Sequence, residues 1–265
     1  PTLLCDSMKM AKPHVWSARP SHPGLNWINC SAKVLPRPEK SRTVLVFGLQ
    51  PQQAVAAMRD ALSSVHEVSA AAYLPEDIAA RTDIGHVKDG KASVTALLVE
   101  GPAPSAEYRC AALREEMKEA GLLEELHGHN SEKFWAFTGN ASAFTGDMKR
   151  IVWRISIPPA SAPAYMETVS RSLPKAEYFM DWGGGLVWLS VPEEAEDGGE
   201  PVIRNAIKEG GHATLIRGSE ALREKISPFQ PQSKAMSLLS EKVRKGFDPE
   251  GIFNPGRMYP VGGQG

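Results

Sequence analysis

The order of strand-like and helix-like periods repeats along this chain, and that repeat constrains the fold more than any single motif. Residues 43–49 (TVLVFGL) are a short β-branched and apolar run closed by Gly48 and Pro51, as a buried strand is. Pro51 suits a first helical turn, and Ala54, Val55, Met58 and Leu62 recur at helical spacing up to Ser64. Residues 66–73 and 93–99 read as two further strands, separated by a polar excursion with Asp83, Gly85, Asp89 and Gly90. A helix over 105–120 follows, with Ala106, Cys110, Leu113 and Met117 on one face, and then a brief strand over 123–127. The second half runs through the same order: strand 151–157, helix 162–172, strands 176–182 and 186–191, helix 201–209, strand 212–217.

Each half is therefore a βαββαβ unit, the split βαβ or ferredoxin-like arrangement, in which helices cover one face of an antiparallel sheet. The expected fold class is α+β, with two such units in tandem at about 32–129 and 148–218 inside a domain of residues 32–230. Residues 1–31 carry no sustained period and are expected to be irregular. The Phe- and Trp-bearing stretch 130–147 is expected to bridge the halves as a helix and loop. Residues 231–265 hold a helix over about 232–245 and the loop FDPEGIFNPGRMYP. Helices on one side only leave the other sheet face to meet water, another sheet or a separate body. Trp182 and Trp188 lie in the strands that form it, and Arg154 and Arg217 are placed to project from it.

Composition excludes several classes. With 42% hydrophobic residues over 265 positions the chain can bury a substantial core, and a net charge of −1 gives no field that gathers phosphates. An RNA-binding ferredoxin-like unit needs exposed aromatics on a basic face, so neutral charge argues against it. No apolar run reaches the roughly 18 residues of a spanning helix, and no charged, apolar leader opens the chain, so a cytoplasmic location is expected. Cys5, Cys30 and Cys110 have no C-x-x-C spacing and are expected to be idle thiols. His127-Gly128-His129 lacks an acidic or cysteine companion at ligand spacing, and no metal site is expected.

Four separated motifs carry a family resemblance. The ending KVRKGFDPEGIFNPGRMY (242–259) resembles the closing segment of flavin-linked oxidases of the vanillyl-alcohol oxidase type. VWRISIPP (152–159), DWGGGLVW (181–188) and GGHATLIR (210–217), together with KVLPRPE (33–39), resemble the FAD-binding E subunit family of bacterial glycolate oxidase. The resemblance implies a cap, built on ferredoxin-like lines, that closes over a flavin held by a separate FAD-binding domain. No Gly-rich, pyrophosphate-cradling loop is legible in residues 1–31. It further implies oxidation of glycolate to glyoxylate with FAD as acceptor, a homologous D-type flavoprotein subunit, and an iron–sulfur F-type subunit receiving the electrons. Attachment at the inner membrane would then run through those partners.

The resemblance places Asn254, Pro255, Gly256 and Arg257 near the flavin; the alternative is a turn that ends the helix, with Asp248-Pro249 as its stop signal. His212 is the candidate base, because hydride removal from a 2-hydroxy acid requires proton acceptance from the hydroxyl; alternatively it is a structural histidine. Arg154 and Arg217 could clamp the substrate carboxylate, or instead donate to interdomain ion pairs. Asp181 with its three following glycines reads first as a hairpin turn. A rival from a different class remains open: a non-catalytic ferredoxin-like module for small-molecule binding or subunit assembly.

Overall fold

The computed structural model describes residues 38–259 apart from positions 196 and 209. The irregular segment expected at 1–31, the KVLPRPE motif up to Arg37, Cys5 and Cys30 lie outside the described residues. The first unit is β1 (Lys40–Phe47), α1 (Pro51–Ser63), β2 (Val68–Leu74), two single-turn helices α2 (Glu76–Ala79) and α3 (Gly85–Lys88), β3 (Val94–Gly101), α4 (Ala103–Met117) and β4 (Leu123–His127). Helix α5 (Gly128–Gly139) and a 3-10 turn (Ser142–Phe144) connect it to the second unit: β5 (Ile151–Ser156), α6 (Ala162–Ser172), β6 (Glu177–Asp181), β7 (Leu186–Val191), α7 (Glu200–Asn205) and β8 (His212–Arg217). Helices α8 (Glu220–Lys225) and α9 (Lys234–Phe247) follow.

The strands form one antiparallel sheet in the order β4-β1-β3-β2-β6-β7-β5-β8. Each half has the outer-inner order of a ferredoxin-like unit, and the two join where β2 meets β6 at the Tyr73 and Met180 pair. Strand periodicity of two decides which side chains face which layer. Val44, Val46, Trp153, Ile155, Val187 and Leu189 point to the helix-covered face, where they pack with Met58, Leu113, Met166 and Val169. Trp153 is fully buried and donates its indole N–H to the Gly198 carbonyl at 2.9 Å, so its polar atom is satisfied inside the core.

The opposite face corrects one expectation. It is not bare: Ile78 of α2, Val87 of α3, Phe134 of α5 and Phe144 of the 3-10 turn pack onto Leu45, Leu74, Ala96 and Phe179 in a second core. The physical reason lies in the aromatic stretch read as a bridge. Phe134 is fully buried, and Trp135 donates to Thr43 Oγ1 at 2.8 Å, so this segment lies down on the sheet. The polar excursion after β2 likewise contains Ile84 and Val87, enough apolar surface to fold back as short helices. An Arg81–Glu177 ion pair, with both guanidinium nitrogens on the carboxylate at 2.8 and 2.9 Å, ties this cover to β6 of the second unit.

The cover stops at Phe144, which stacks near Phe179 at 5.7 Å. Beyond it Arg154, Ser156, Trp188 and Thr214 are half-buried, and His212 and Ile216 are exposed. A window on the far face of the second unit is therefore open.

Candidate functional site

The window has a register that the ladders fix. One row across β6, β7, β5 and β8 is Phe179, Trp188, Arg154 and Thr214; the next is Asp181, Leu186, Ser156 and His212. Residues opposed in this way share a face, so Arg154 and His212 stand as diagonal neighbours, roughly 7 Å apart at the backbone.

Arg154 has an unusual environment for an arginine in a sheet. Its guanidinium carbon lies 5.1 Å from the centroid of the Trp182 ring, and Trp188 is its direct cross-strand neighbour. Among the described residues it donates no hydrogen bond and forms no ion pair, whereas Arg42, Arg81, Arg109, Arg150, Arg204 and Arg217 are all engaged by oxygen acceptors. A planar cation with free N–H edges, lying over one indole and paired across the ladder with Trp188, suits a carboxylate, which it can meet bidentately.

Arg217 lies one row away, opposite Val152, and is used differently. Its Nε donates to the Arg150 carbonyl at 2.9 Å, and its Nη2 to the carbonyls of Phe144 and Asp147 at 2.7 and 2.8 Å. These bonds anchor the loop that leads out of the second core. The two arginines share a face, yet the free donor edge belongs to Arg154.

Trp182 and the glycines after it form a tight turn. Trp182 itself sits at φ +55°, Gly183 at +65° and Gly184 at +100°. For a bulky aromatic the left-handed region is a genuine outlier that costs of order 1–3 kcal/mol. Burial does not offset this, since Trp182 is 57% exposed. The turn is held by α1: a Cβ on Gly183 would meet Leu62 at 2.6 Å, and one on Gly184 would meet Val55 at 3.2 Å. Close approach of α1 and the positive φ values account for the glycines, and the Trp182 indole at the head of the turn lies over Arg154.

Asp181 precedes the turn. Its Oδ1 accepts the Trp182 backbone N–H at 2.7 Å, and burial raises its pKa to about 6, against the opposing pull of that hydrogen bond and of the Arg154 charge. Sequence reasoning put Asp181 in the strand 176–182 and read its role as a turn; what it missed is that the odd positions of this strand face the window.

His212 starts β8, the outer strand. The backbone N–H groups of Ala213 and Leu215 on its open edge donate to Gln230 Oε1 at 3.1 Å and to the Pro228 carbonyl at 2.7 Å, so the following segment closes that edge. The C-terminal loop is tied to the same segment. Tyr259 donates to the Gln230 carbonyl at 3.3 Å, and its ring lies 6.0 Å from that of Phe229. Within the loop the Asp248 carboxylate accepts from Ile252 and Phe253 N–H at 3.0 and 2.9 Å, and these bonds hold its pKa below the usual carboxylate range. Asn254 at φ +50° and Gly256 at φ +76° complete the turn around Pro255, and Arg257 is exposed. Arg154 and His212 thus share the window, and Tyr259, two residues after Arg257, is tied to the segment that closes its outer edge.

No family model matches the chain. A stretch of 108 residues, 41% of this chain, is 37% identical to the glycolate oxidase subunit GlcE of Escherichia coli (strain K12). The chain's fold is shared with 4-ethylphenol oxidase from Gulosibacter chungangensis, at TM-score 0.56 and 15% identity over 86% of this chain. It is shared also with p-cresol methylhydroxylase, at TM-score 0.59 and 11% identity over 87% of this chain. These matches bear out the resemblance read from the motifs and the α+β cap fold. The chain spans 55% of each of those two solved chains, and its match covers 26% of the curated relative. No helix among the described residues is long and apolar enough to cross a membrane.

Proposed function

We propose that this chain supplies the cap of a flavin-linked 2-hydroxy-acid oxidoreductase subunit of the glycolate oxidase E type, and that the window on its second unit binds the substrate carboxylate. The observation that supports this most is the half-buried guanidinium of Arg154, free of hydrogen-bond acceptors and framed by Trp182 and Trp188.

The described residues fit one part of FAD and not another. A pyrophosphate cradle needs open glycine N–H groups. Among the described residues one or both members of each glycine pair are packed from within: a Cβ would meet Leu62 at Gly183, Leu222 at Gly198, Leu173 at Gly199 and the Ser156 carbonyl at Gly211, all under 3 Å. The dinucleotide half is thus assigned to another protein body. We assign the ring edge to Asn254, Pro255, Gly256 and Arg257, an exposed turn flanked by exposed Phe253 and Met258 and braced by the Asp248 carboxylate. When bound there, the flavin supplies a hydride acceptor. Arg154 then orients the carboxylate, and the indoles of Trp182 and Trp188 keep water from it.

The exposed apolar stripe of α9, Met236, Leu239, Val243 and Phe247 at helical spacing, extends this reading to assembly. We assign it to the flavin-holding body, because the two structural relatives carry close to half their length beyond the matched region. Electron transfer onward to an iron–sulfur subunit, with a D-type flavoprotein subunit alongside, completes the proposal.

The test is anaerobic addition of glycolate to the full-length protein purified with its partner subunits. The expected result is bleaching of the oxidised flavin with release of glyoxylate. A flavin-free complex, or a flavin indifferent to glycolate, would refute the reading and favour an assembly module.

A further inference from the structure

We propose that Asp181 is the catalytic base of this site, accepting the substrate's hydroxyl proton on Oδ2 while Arg154 holds its carboxylate. The inference rests on the cap reading above and names a residue which that reading leaves unused.

Three observations carry it. First, the carboxylate is half used. Oδ1 takes the Trp182 N–H, while Oδ2 has no hydrogen-bond partner among the described residues, and Asp181 sits on the row of the sheet face that carries the window. Second, Asp181 is only 8% exposed, which is a costly place for a carboxylate whose one bond could equally be made by an asparagine. Third, the strained turn that starts at Asp181 carries the Trp182 indole that lies over Arg154, so one short segment fixes the base, the aromatic wall and the cation together. Strain and an unpaired buried acid in a single turn are the features by which a working site departs from a merely stable one.

The groups around Asp181 are few. Arg154 from β5 is the charge that acts on it, and His212 of β8 lies on the same row three strand spacings away, roughly 14 Å at the backbone. Strand β7 brings no ionisable side chain, and Tyr73 of β2 faces the other layer. On α1, Arg59 and Asp60 pair with each other.

The step balances as follows. The C2 hydrogen of a 2-hydroxy acid leaves with its electron pair to the flavin, an oxidant of the two-electron class. The C2–O bond becomes a carbonyl, and the hydroxyl proton passes to Asp181, giving a 2-oxo acid, a reduced flavin and a neutral carboxyl. Productive binding therefore requires Asp181 ionised, and its burial places that requirement near neutrality, where general bases are most effective.

The experiment compares wild type, D181N, D181E and H212Q in the purified, flavin-loaded complex. Anaerobic flavin reduction by glycolate is followed against pH, and binding of oxalate, which has no C2 hydrogen to lose, is followed by titration calorimetry. Wild type should show reduction that rises with pH to a plateau above an inflection near about 6. D181N should lose at least about a hundredfold in reduction rate together with that inflection, yet bind oxalate at least as tightly as wild type. D181E should recover part of the rate, and H212Q should keep the inflection. Reduction of D181N at the wild-type rate, or loss of the inflection in H212Q alone, would overturn the assignment of the base. Absence of flavin reduction in wild type would overturn the cap reading itself, which is a separate outcome.

Discussion

D181N is expected to be more stable than wild type at about pH 8 and equal to it near about pH 4. Burial raises the Asp181 pKa from an ordinary 3.8 to about 6. An acid whose folded pKa lies above its unfolded value binds its proton more tightly when folded. Its contribution is then fully present below the unfolded pKa and is lost as pH rises through the folded one. At about 1.4 kcal/mol for each unit, the difference amounts to about 3 kcal/mol at alkaline pH. Asparagine keeps an oxygen for the Trp182 N–H and carries no charge, so it removes this penalty without unmaking the cap of the turn. Chemical denaturation of both proteins across that pH range measures the effect. Equal stability at every pH would mean that the carboxylate pays no desolvation cost, and the unusual acid at the centre of the site would lose its physical basis.

The second large effect concerns assembly. Substituting Leu239 and Val243 together by Asp is expected to leave folding of the chain untouched and to abolish its association with the flavin-holding body. Both side chains are more than half exposed, and no residue of α9 is buried, so their replacement removes nothing from either core. Against a partner, each would place an unpaired carboxylate in an apolar interface, and truncation or charging of such anchors typically costs 2 kcal/mol or more apiece, roughly a thousandfold for the pair. Co-purification with flavin and partner subunits reads this out, with circular dichroism as the control for folding. Unchanged flavin retention in the double variant would show that the stripe faces solvent in the working protein.

Much of the architecture was legible in the sequence, for a reason that particular elements make plain. β4, α6, β7 and β8 fall where the alternation of apolar and polar residues puts them, since each is short, bounded by Gly, Pro or charged residues, and buried on the face its period requires. The second core was not legible, because its parts have no period of their own. α2 and α3 are single turns, and Phe134, Trp135 and Phe144 acquire meaning from the sheet face they cover, which is a tertiary fact. α8 is equally short, and its sequence reads as a charged stretch.

The site divides in the same way. Arg154 and Arg217 were placed on the far face from the sequence, and the structure adds His212 on the row next to Arg154. What separates Arg154 from Arg217 is hidden from sequence. Both are strand arginines, but a bulge beside Val152 and the return of the 144–150 loop give Arg217 backbone carbonyls to bind, and nothing comparable reaches Arg154. Asp181 was passed over because three glycines after an aspartate signal a turn. The signal was right, and the additional information is the identity of what presses on the glycines, Leu62 and Val55 of α1, and the place of the indole over Arg154.

The central claim is that the window takes a small carboxylate on Arg154, and oxalate binding to the flavin-loaded complex tests it most directly. Titration calorimetry on wild type and R154A at one fixed pH should show saturable binding by wild type and a loss of at least about tenfold in affinity in the variant, the size expected for one charge-assisted pair. Equal oxalate affinity in the two proteins would contradict the account.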